Sequence, residues 1–173
     1  MIGIERLLKS KDTPKGKALI LAQKLKSDKN ATGELIEFYK SATDAERGTC
    51  LAALTQITKR DPKFLEPYLD FVIEQIKYKA PRVKWEASEI IANIAKLFPD
   101  KAAKAIPNLT ENTKDVGTVV RWSAAFGLTE IARANPKTRK ELMPLFEKLV
   151  YREKQNGVKN VYVKALKAMG ESK

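Results

Sequence analysis

The side chains that perform most acid–base and nucleophilic chemistry near neutral pH are nearly absent from this chain. It contains no histidine and one cysteine, Cys50, which excludes Ser-His-Asp and Cys-His catalysis, histidine-rich zinc sites and an internal disulfide. Its eight glycines are scattered, so phosphate-binding glycine loops are excluded as well. Chemistry would have to rely on carboxylates, lysines or tyrosines. We therefore predict no catalytic residue, no metal and no cofactor, and we interpret Cys50 as a small core residue.

One segment combines cations with aromatic rings. Residues 77–85 read Lys-Tyr-Lys-Ala-Pro-Arg-Val-Lys-Trp, a mixture that can hold phosphates and stack a base, as in single-stranded nucleic-acid sites. The alternative is a solvated turn in which Trp85 packs against Trp122, its counterpart 37 residues later. The candidate residues for binding an anionic partner, here and at equivalent positions, are Lys15, Lys77, Lys79, Arg82, Lys84, Trp85, Arg121 and Trp122.

The net charge of +12 is unevenly distributed. Residues 31–134 are nearly balanced, with fifteen basic and fourteen acidic residues, so the excess lies towards the two ends. Lys15, Lys84 and Arg121 open helical segments, where the helix dipole disfavours cations, so their presence there needs another explanation. For Arg121 that explanation is either hydrogen bonding to Asp115 or neighbouring carbonyls, or an anionic partner. Five candidate turns hold fifteen basic and five acidic residues between them: 9–17, 40–48, 77–84, 113–121 and 152–160.

These residues must be positioned by helices. Asp-Pro, Phe-Pro and Asn-Pro pairs at 61–62, 98–99 and 135–136 recur every 37 residues and close apolar segments with helical spacing. Pro107 and Pro144 fall inside two proposed helices, which predicts matching kinks or later helix starts. The first helices of five hairpins are predicted at 2–10, 31–41, 63–78, 101–112 and 138–153, and the second helices at 14–27, 45–60, 81–97, 118–134 and 158–170.

The second helices carry a family resemblance. Residues 115–128, with Asp115 in the turn, Arg121 after a valine and an alanine-rich helix, resemble the second-helix signature of HEAT repeats. Lys84 takes the place of this arginine one repeat earlier. Lys15 and Arg47 occupy the equivalent position in repeats one and two, and we call these positions the column. Repeat five departs from it, with Tyr162 at this position. The resemblance implies an all-α, right-handed α-α superhelix, or α-solenoid, of about five HEAT-like or armadillo-like hairpins. It implies a single domain, 1–173, with repeats at about 1–28, 29–61, 62–99, 100–136 and 137–173.

Two functions compete on this fold. The first is a non-enzymatic scaffold that presents a concave helical surface and a basic edge to an acidic protein partner. The second is nucleic-acid binding, since the fold resembles bacterial HEAT-like DNA glycosylases, which excise alkylated bases without histidine or metal. The metal-dependent hydroxylase branch of the superfamily matches poorly without histidine. The aromatic and acidic residues available for base excision are Trp85, Glu86, Glu89, Trp122, Phe126 and Glu130.

Location and assembly follow from simpler features. No apolar run approaches the roughly 18–20 residues of a membrane span, and the first residues lack the apolar stretch of a signal peptide, so we expect a cytoplasmic protein that does not bind membranes. The ends are charged, which predicts end caps, a free-standing unit and a monomer. The charged residues at the two ends are Arg6, Lys9, Lys11, Lys164, Lys167 and Lys173.

Overall fold

The computed structural model describes residues 3–28 and 30–170, and their helices follow one another in pairs. The predicted helix start at residue 2 and the cap residue Lys173 lie outside these residues. Hairpin one joins α1 (Ile4–Leu8) to α2 (Pro14–Ser27), and hairpin two joins α3 (Ala31–Ser41) to α4 (Asp44–Thr58). Hairpin three joins a 3-10 helix (Pro62–Tyr68) and α5 (Leu69–Gln75) to α6 (Pro81–Ile94). Hairpin four joins α7 (Pro99–Ala103) and α8 (Ile106–Asn112) to α9 (Thr118–Ala134). Hairpin five joins α10 (Pro136–Arg152) to α11 (Asn156–Gly170).

The second helices of the hairpins form a continuous layer. α2 packs on α4, α4 on α6, α6 on α9 and α9 on α11, while the first helices cover one side of this layer. Small side chains allow the close approach, because each second helix carries a buried small residue at the same position. The prediction of an all-α solenoid is confirmed. The small residues, all buried, are Ala18, Cys50, Ala87, Ala124 and Ala165.

Local signals in the sequence set where helices begin. Thr13 caps α2 by accepting a hydrogen bond from the Gly16 amide, and Thr43 forms a reciprocal capping box with Glu46 at the start of α4. Asn135 caps α10 through its side-chain oxygen. Proline opens several helices, including α6 and α10, because a first-turn residue needs no donor.

Two first helices are broken near prolines, one of them at Pro107, where the sequence predicted a kink or a later helix start. Residues 63–78 were expected to be one helix, but Pro67 lies in a 3-10 segment and the α-helix begins only at Leu69. Residues 101–112 divide at Lys104–Ala105, so that Pro107 falls in the first turn of α8. Proline lacks an amide donor and clashes with the carbonyl four residues earlier, which explains both breaks. α10, in contrast, runs unbroken through Pro144.

The links within the hairpins lie side by side along one edge, which we call the turn edge: residues 9–13, 42–43, 76–80, 113–117 and 153–155. Contacts join residues in or next to successive links. The Tyr78 hydroxyl donates to Asp44 Oδ1 at 2.7 Å, and Arg152 Nη2 donates to the Thr113 carbonyl at 2.6 Å. The solvent-facing side of α2, α4, α6, α9 and α11 forms a second surface, the second-helix face. Over residues 3–28 and 30–170, no helix has both the length and the apolar character needed to cross a membrane.

Candidate binding surface

Lys84 is held on the turn edge by the next hairpin. Its Nζ lies 2.7 Å from Asp115 Oδ2, and the two side chains are only 20% and 13% exposed. The Gly117 amide donates to the other oxygen, Oδ1, at 2.8 Å. Burial acts to raise the pKa of Asp115, but the bonds from Lys84 and Gly117 outweigh it, so this pKa is lowered from its usual value. Lys84 therefore joins hairpins three and four.

Arg121 makes the corresponding link between hairpins four and five. Its Nε and Nη2 donate to the two carboxylate oxygens of Glu153 at 2.9 and 3.2 Å, and Nη1 donates to the carbonyls of Asp115 and Val116. Burial acts to raise the pKa of Glu153, but the bond from Arg121 reverses this effect and the pKa is lowered. Each guanidinium nitrogen already has a partner, which supports turn hydrogen bonding as the role of Arg121.

The same column behaves differently in the first two hairpins. Arg47 donates to the carbonyls of Lys40 and Ala42, and its guanidinium carbon lies within about 5 Å of the Tyr39 and Tyr78 ring centres. In hairpin one the carbonyl contact is made by Lys17, whose Nζ donates to the Leu8 carbonyl at 2.6 Å. Lys15, which the repeat pattern predicted for this position, is instead exposed.

Within the described residues, the other two turn cations among the candidate residues make only exposed pairs. Lys77 Nζ lies 2.7 Å from Glu74, with both side chains more than half exposed, and Lys79 Nζ lies 3.8 Å from Asp44. Exposed pairs of this kind contribute at most about 1 kcal/mol and are screened by salt. Lys77 and Lys79 therefore keep accessible charges, whereas Lys84 and Arg121 do not.

A groove of about 480 Å³ on the second-helix face brings Lys15 and Arg82 together. Arg82 reaches it by lying across α4, where a Cβ at Gly48 would be 2.7 Å from Arg82 Cδ, so a larger residue at position 48 would displace this side chain. Its Nη1 makes one long hydrogen bond, 3.4 Å, to the Thr49 hydroxyl. The other groove-lining residues are Thr13, Pro14, Ala18, Leu19, Ala52, Gln56 and Glu86.

An apolar stripe continues along the second-helix face from hairpin three to hairpin five. Trp85, Trp122 and Val163 occupy equivalent positions on α6, α9 and α11; Trp85 is half-buried, while Trp122 and Val163 are 37% and 42% exposed. The Trp122 ring packs on Phe126 at a centroid distance of 5.4 Å, and no ring contact joins it to Trp85 in the described residues. Val163 was not predicted from the repeat because it follows Trp122 by 41 residues, not 37.

Carboxylates on the same face are already engaged or partly buried. Glu86 accepts the Thr55 hydroxyl at 2.8 Å, and Glu130 pairs with Arg133 one turn away. Burial raises the pKa of Glu89, and the neighbouring Glu86 adds to the effect, while Lys59 at 3.9 Å opposes it. The six residues considered for base excision thus share one face, but Glu86 and Glu130 already have protein partners.

Comparison with known proteins supports the fold. No family model matches the chain. AP-3 complex subunit delta-1 from Bos taurus is 24% identical over 139 residues, which cover 80% of this chain but only 11% of that protein. A crystal structure of computationally designed armadillo repeat proteins for modular peptide recognition matches 95% of this chain and 80% of its own, with a TM-score of 0.74 and 20% identity.

A second designed armadillo repeat protein, solved in complex with the peptide (KR)4, matches 96% of this chain and 86% of its own. Its TM-score is 0.72 and its sequence identity 18%. At this identity the likeness concerns the fold alone. The chain has the all-α architecture of HEAT-like and armadillo-like solenoids.

Proposed function

We propose that this chain is a non-enzymatic binding scaffold that holds an extended acidic segment of a partner protein across its second-helix face. The observation that carries the proposal is the groove in which Lys15 and Arg82 stand beside apolar side chains, next to the stripe of Trp85, Trp122 and Val163. Carboxylates of the partner would pair with the two cations, and its apolar side chains would cover the stripe.

The sign of the charge selects the partner. The designed armadillo protein noted above binds the basic peptide (KR)4. The present chain carries a net charge of +12, so complementary potentials require an acidic segment in its case. Long-range attraction would speed the encounter, and the apolar stripe would slow dissociation.

Pairing within the protein favours an acidic polypeptide over a nucleic acid. Lys84 and Arg121, which would have been the obvious phosphate contacts, are bonded to Asp115 and Glu153. Glu89 adds a carboxylate to the second-helix face, where a continuous phosphate backbone would meet it. A polypeptide can alternate acidic and apolar side chains to match such a surface.

The two tryptophans of the chain both lie on the second-helix face, so their fluorescence reports on binding there. We expect the acidic peptide (DE)4 to change this fluorescence and (KR)4 to leave it unchanged, with affinity for (DE)4 falling as salt rises. The double substitution K15E/R82E should weaken (DE)4 binding by at least about tenfold. Trp122→Ala should weaken an acidic peptide that also contains leucines, because it removes part of the stripe.

The matched control is K63E/K140E, which makes the same change in net charge at exposed positions on first-helix elements. It should reduce (DE)4 affinity by no more than about twofold at 0.15 M salt, since distant charges are screened. Equal losses in both double variants, or equal binding of (KR)4, would contradict the proposal. Tighter binding of short single-stranded or duplex DNA, with a steep salt dependence, would favour the nucleic-acid alternative instead.

A further inference from the structure

A second basic pocket lies on the turn edge, away from the groove. It has a volume of about 330 Å³ and is formed where the link 113–117 of hairpin four meets the link 153–155 of hairpin five. Four cationic side chains and two carboxylates line it, so it carries an excess of positive charge. The lining residues are Thr113, Lys114, Asp115, Arg121, Arg152, Glu153 and Lys154.

The two carboxylates of this pocket are already neutralised. Asp115 accepts from Lys84 on one oxygen and from the Gly117 amide on the other. Glu153 accepts from Arg121 on both oxygens and from the Gln155 amide on Oε1. Neither is available to compensate another cation.

Three cations remain. Arg152 is fixed by two bonds from a single nitrogen, Nη2, to the Thr113 carbonyl and hydroxyl at 2.6 and 2.8 Å, and both partners are uncharged. Its Nε and Nη1 have no partner in the part of the chain that the structure describes. Lys154 has none there either, and Lys114 makes only an exposed pair with Glu111 at 3.1 Å. An arginine held by a neutral anchor, with its remaining donors available, is preorganised to bind a planar or tetrahedral oxyanion.

The buried surroundings contain a further unsatisfied group. The hydroxyl of Tyr162, 1% exposed, has no hydrogen-bond partner in the described residues, and the charges acting on it are those of Arg152, Glu153 and Arg121. This hydroxyl is not part of the pocket lining, and it adds no negative charge beside the pocket.

We propose that this pocket binds a phosphate monoester dianion carried on a phosphorylated side chain of the acidic partner. The excess of cations matches a group with two negative charges and three acceptor oxygens better than it matches a single carboxylate. The pocket is shallow and open, so it buries little of a free small molecule, whereas a phosphate attached to a polypeptide gains contacts on either side of it. Only the carrier of the phosphate rests on the proposed function; the anion site itself does not.

The anion site is tested first with inorganic phosphate alone. Amide resonances of residues 113–117 and 152–156 should shift during titration, and the shifts should disappear in R152Q/K154Q. K140Q/K148Q, which removes two exposed charges from α10, should leave them intact. Shifts spread over the lysine-rich surface, or retained in R152Q/K154Q, would overturn the proposal. Thermal melting of both variants shows whether the fold is preserved, and K154Q alone provides the test if Arg152 proves necessary for folding.

The carrier is tested with an acidic peptide containing phosphoserine, compared with the same peptide containing glutamate or serine at that position. We expect about tenfold tighter binding of the phosphopeptide than of the glutamate peptide, a ratio that should vanish in R152Q/K154Q and persist in K15E/R82E. If the two peptides bind with equal affinity while inorganic phosphate still shifts the amide resonances, the proposal of a phosphorylated partner is wrong and the pocket is a site for free phosphate. Failure of (DE)4 to bind the wild-type chain would count against the proposed function and would leave the inorganic phosphate result unaffected.

Discussion

At the scale of single residues, the column that contains Arg47, Lys84 and Arg121 shows what a buried turn position requires. Each of these side chains donates to a carbonyl or carboxylate beside its turn. Tyr162 replaces them in hairpin five and is fully buried on Phe146, with ring centroids 5.6 Å apart. Its hydroxyl is buried without an acceptor in the part of the chain that the structure describes. The residue at this position therefore contributes packing in place of a link between turns.

Tyr162→Phe should leave the free energy of unfolding unchanged or raise it by about 1 kcal/mol, because it removes a buried hydroxyl that has no partner among the described residues. Tyr39→Phe is the matched control: its hydroxyl donates to Gln75 Oε1 at 3.0 Å, so its loss should lower the unfolding free energy by about 1 kcal/mol. Urea denaturation of the two variants measures both. Equal destabilisation by the two changes would mean that the Tyr162 hydroxyl does have a partner.

At the scale of helices, two prolines 37 residues apart lie at different positions within their helices. Pro107 lies in the first turn of α8, where no amide donor is needed, while Pro144 lies exposed in the interior of α10. Because 37 residues is also the repeat length, the sequence predicted the same position for both prolines within their helices. The difference arises because the first helix of hairpin four divides and that of hairpin five does not.

Pro144→Ala should raise the free energy of unfolding by about 1–3 kcal/mol, since it restores an amide donor inside a helix and removes a clash with the preceding turn. Pro107→Ala should change the free energy of unfolding by no more than about 0.5 kcal/mol, because an amide in the first turn of a helix has no intrahelical acceptor. Thermal melting provides the comparison. A loss of stability with Pro144→Ala would show instead that a bend at this position is required for α10 to pack.

The hairpins could be predicted from the sequence because their apolar spacing and proline breaks are local signals. The pairing of the cations could not be. Lys84 and Asp115 are 31 residues apart, and Arg121 and Glu153 are 32 apart, so each pair depends on how neighbouring hairpins stack. Lys17 makes the carbonyl contact that the sequence pattern assigned to Lys15, and no local feature of the sequence distinguishes the two lysines. The sequence thus predicted cations near the turns, but not which of them pair with a neighbouring hairpin.

At the scale of the whole molecule, each hairpin is stabilised mainly by its immediate neighbours. The central second helices α6 and α9 pack on a second helix at each side, whereas α2 and α11 have one such neighbour. α1 has only five residues and covers little of α2. Stability should accordingly be graded along the chain.

Hydrogen–deuterium exchange followed by mass spectrometry should show the slowest amide exchange in α6 and α9 and the fastest in α1 and α11. The gradient follows because opening an end hairpin disrupts one interface, while opening a central one disrupts two. Uniform protection from α2 to α11 would indicate that the hairpins open only as a single unit. In that case the ion pairs Lys84–Asp115 and Arg121–Glu153 would be the first contacts to test as the cause of joint opening of neighbouring hairpins.

The two ion pairs also depend on the order of the hairpins along the chain. Hairpin three supplies Lys84 but carries Tyr78 at the position that corresponds to Asp115, so a second copy of hairpin three transplanted into the place of hairpin four would leave the lysine without its carboxylate. Hairpins that look interchangeable in their cores are therefore not interchangeable at their turns. Lengthening this protein by duplication would require a rewritten junction at every new boundary.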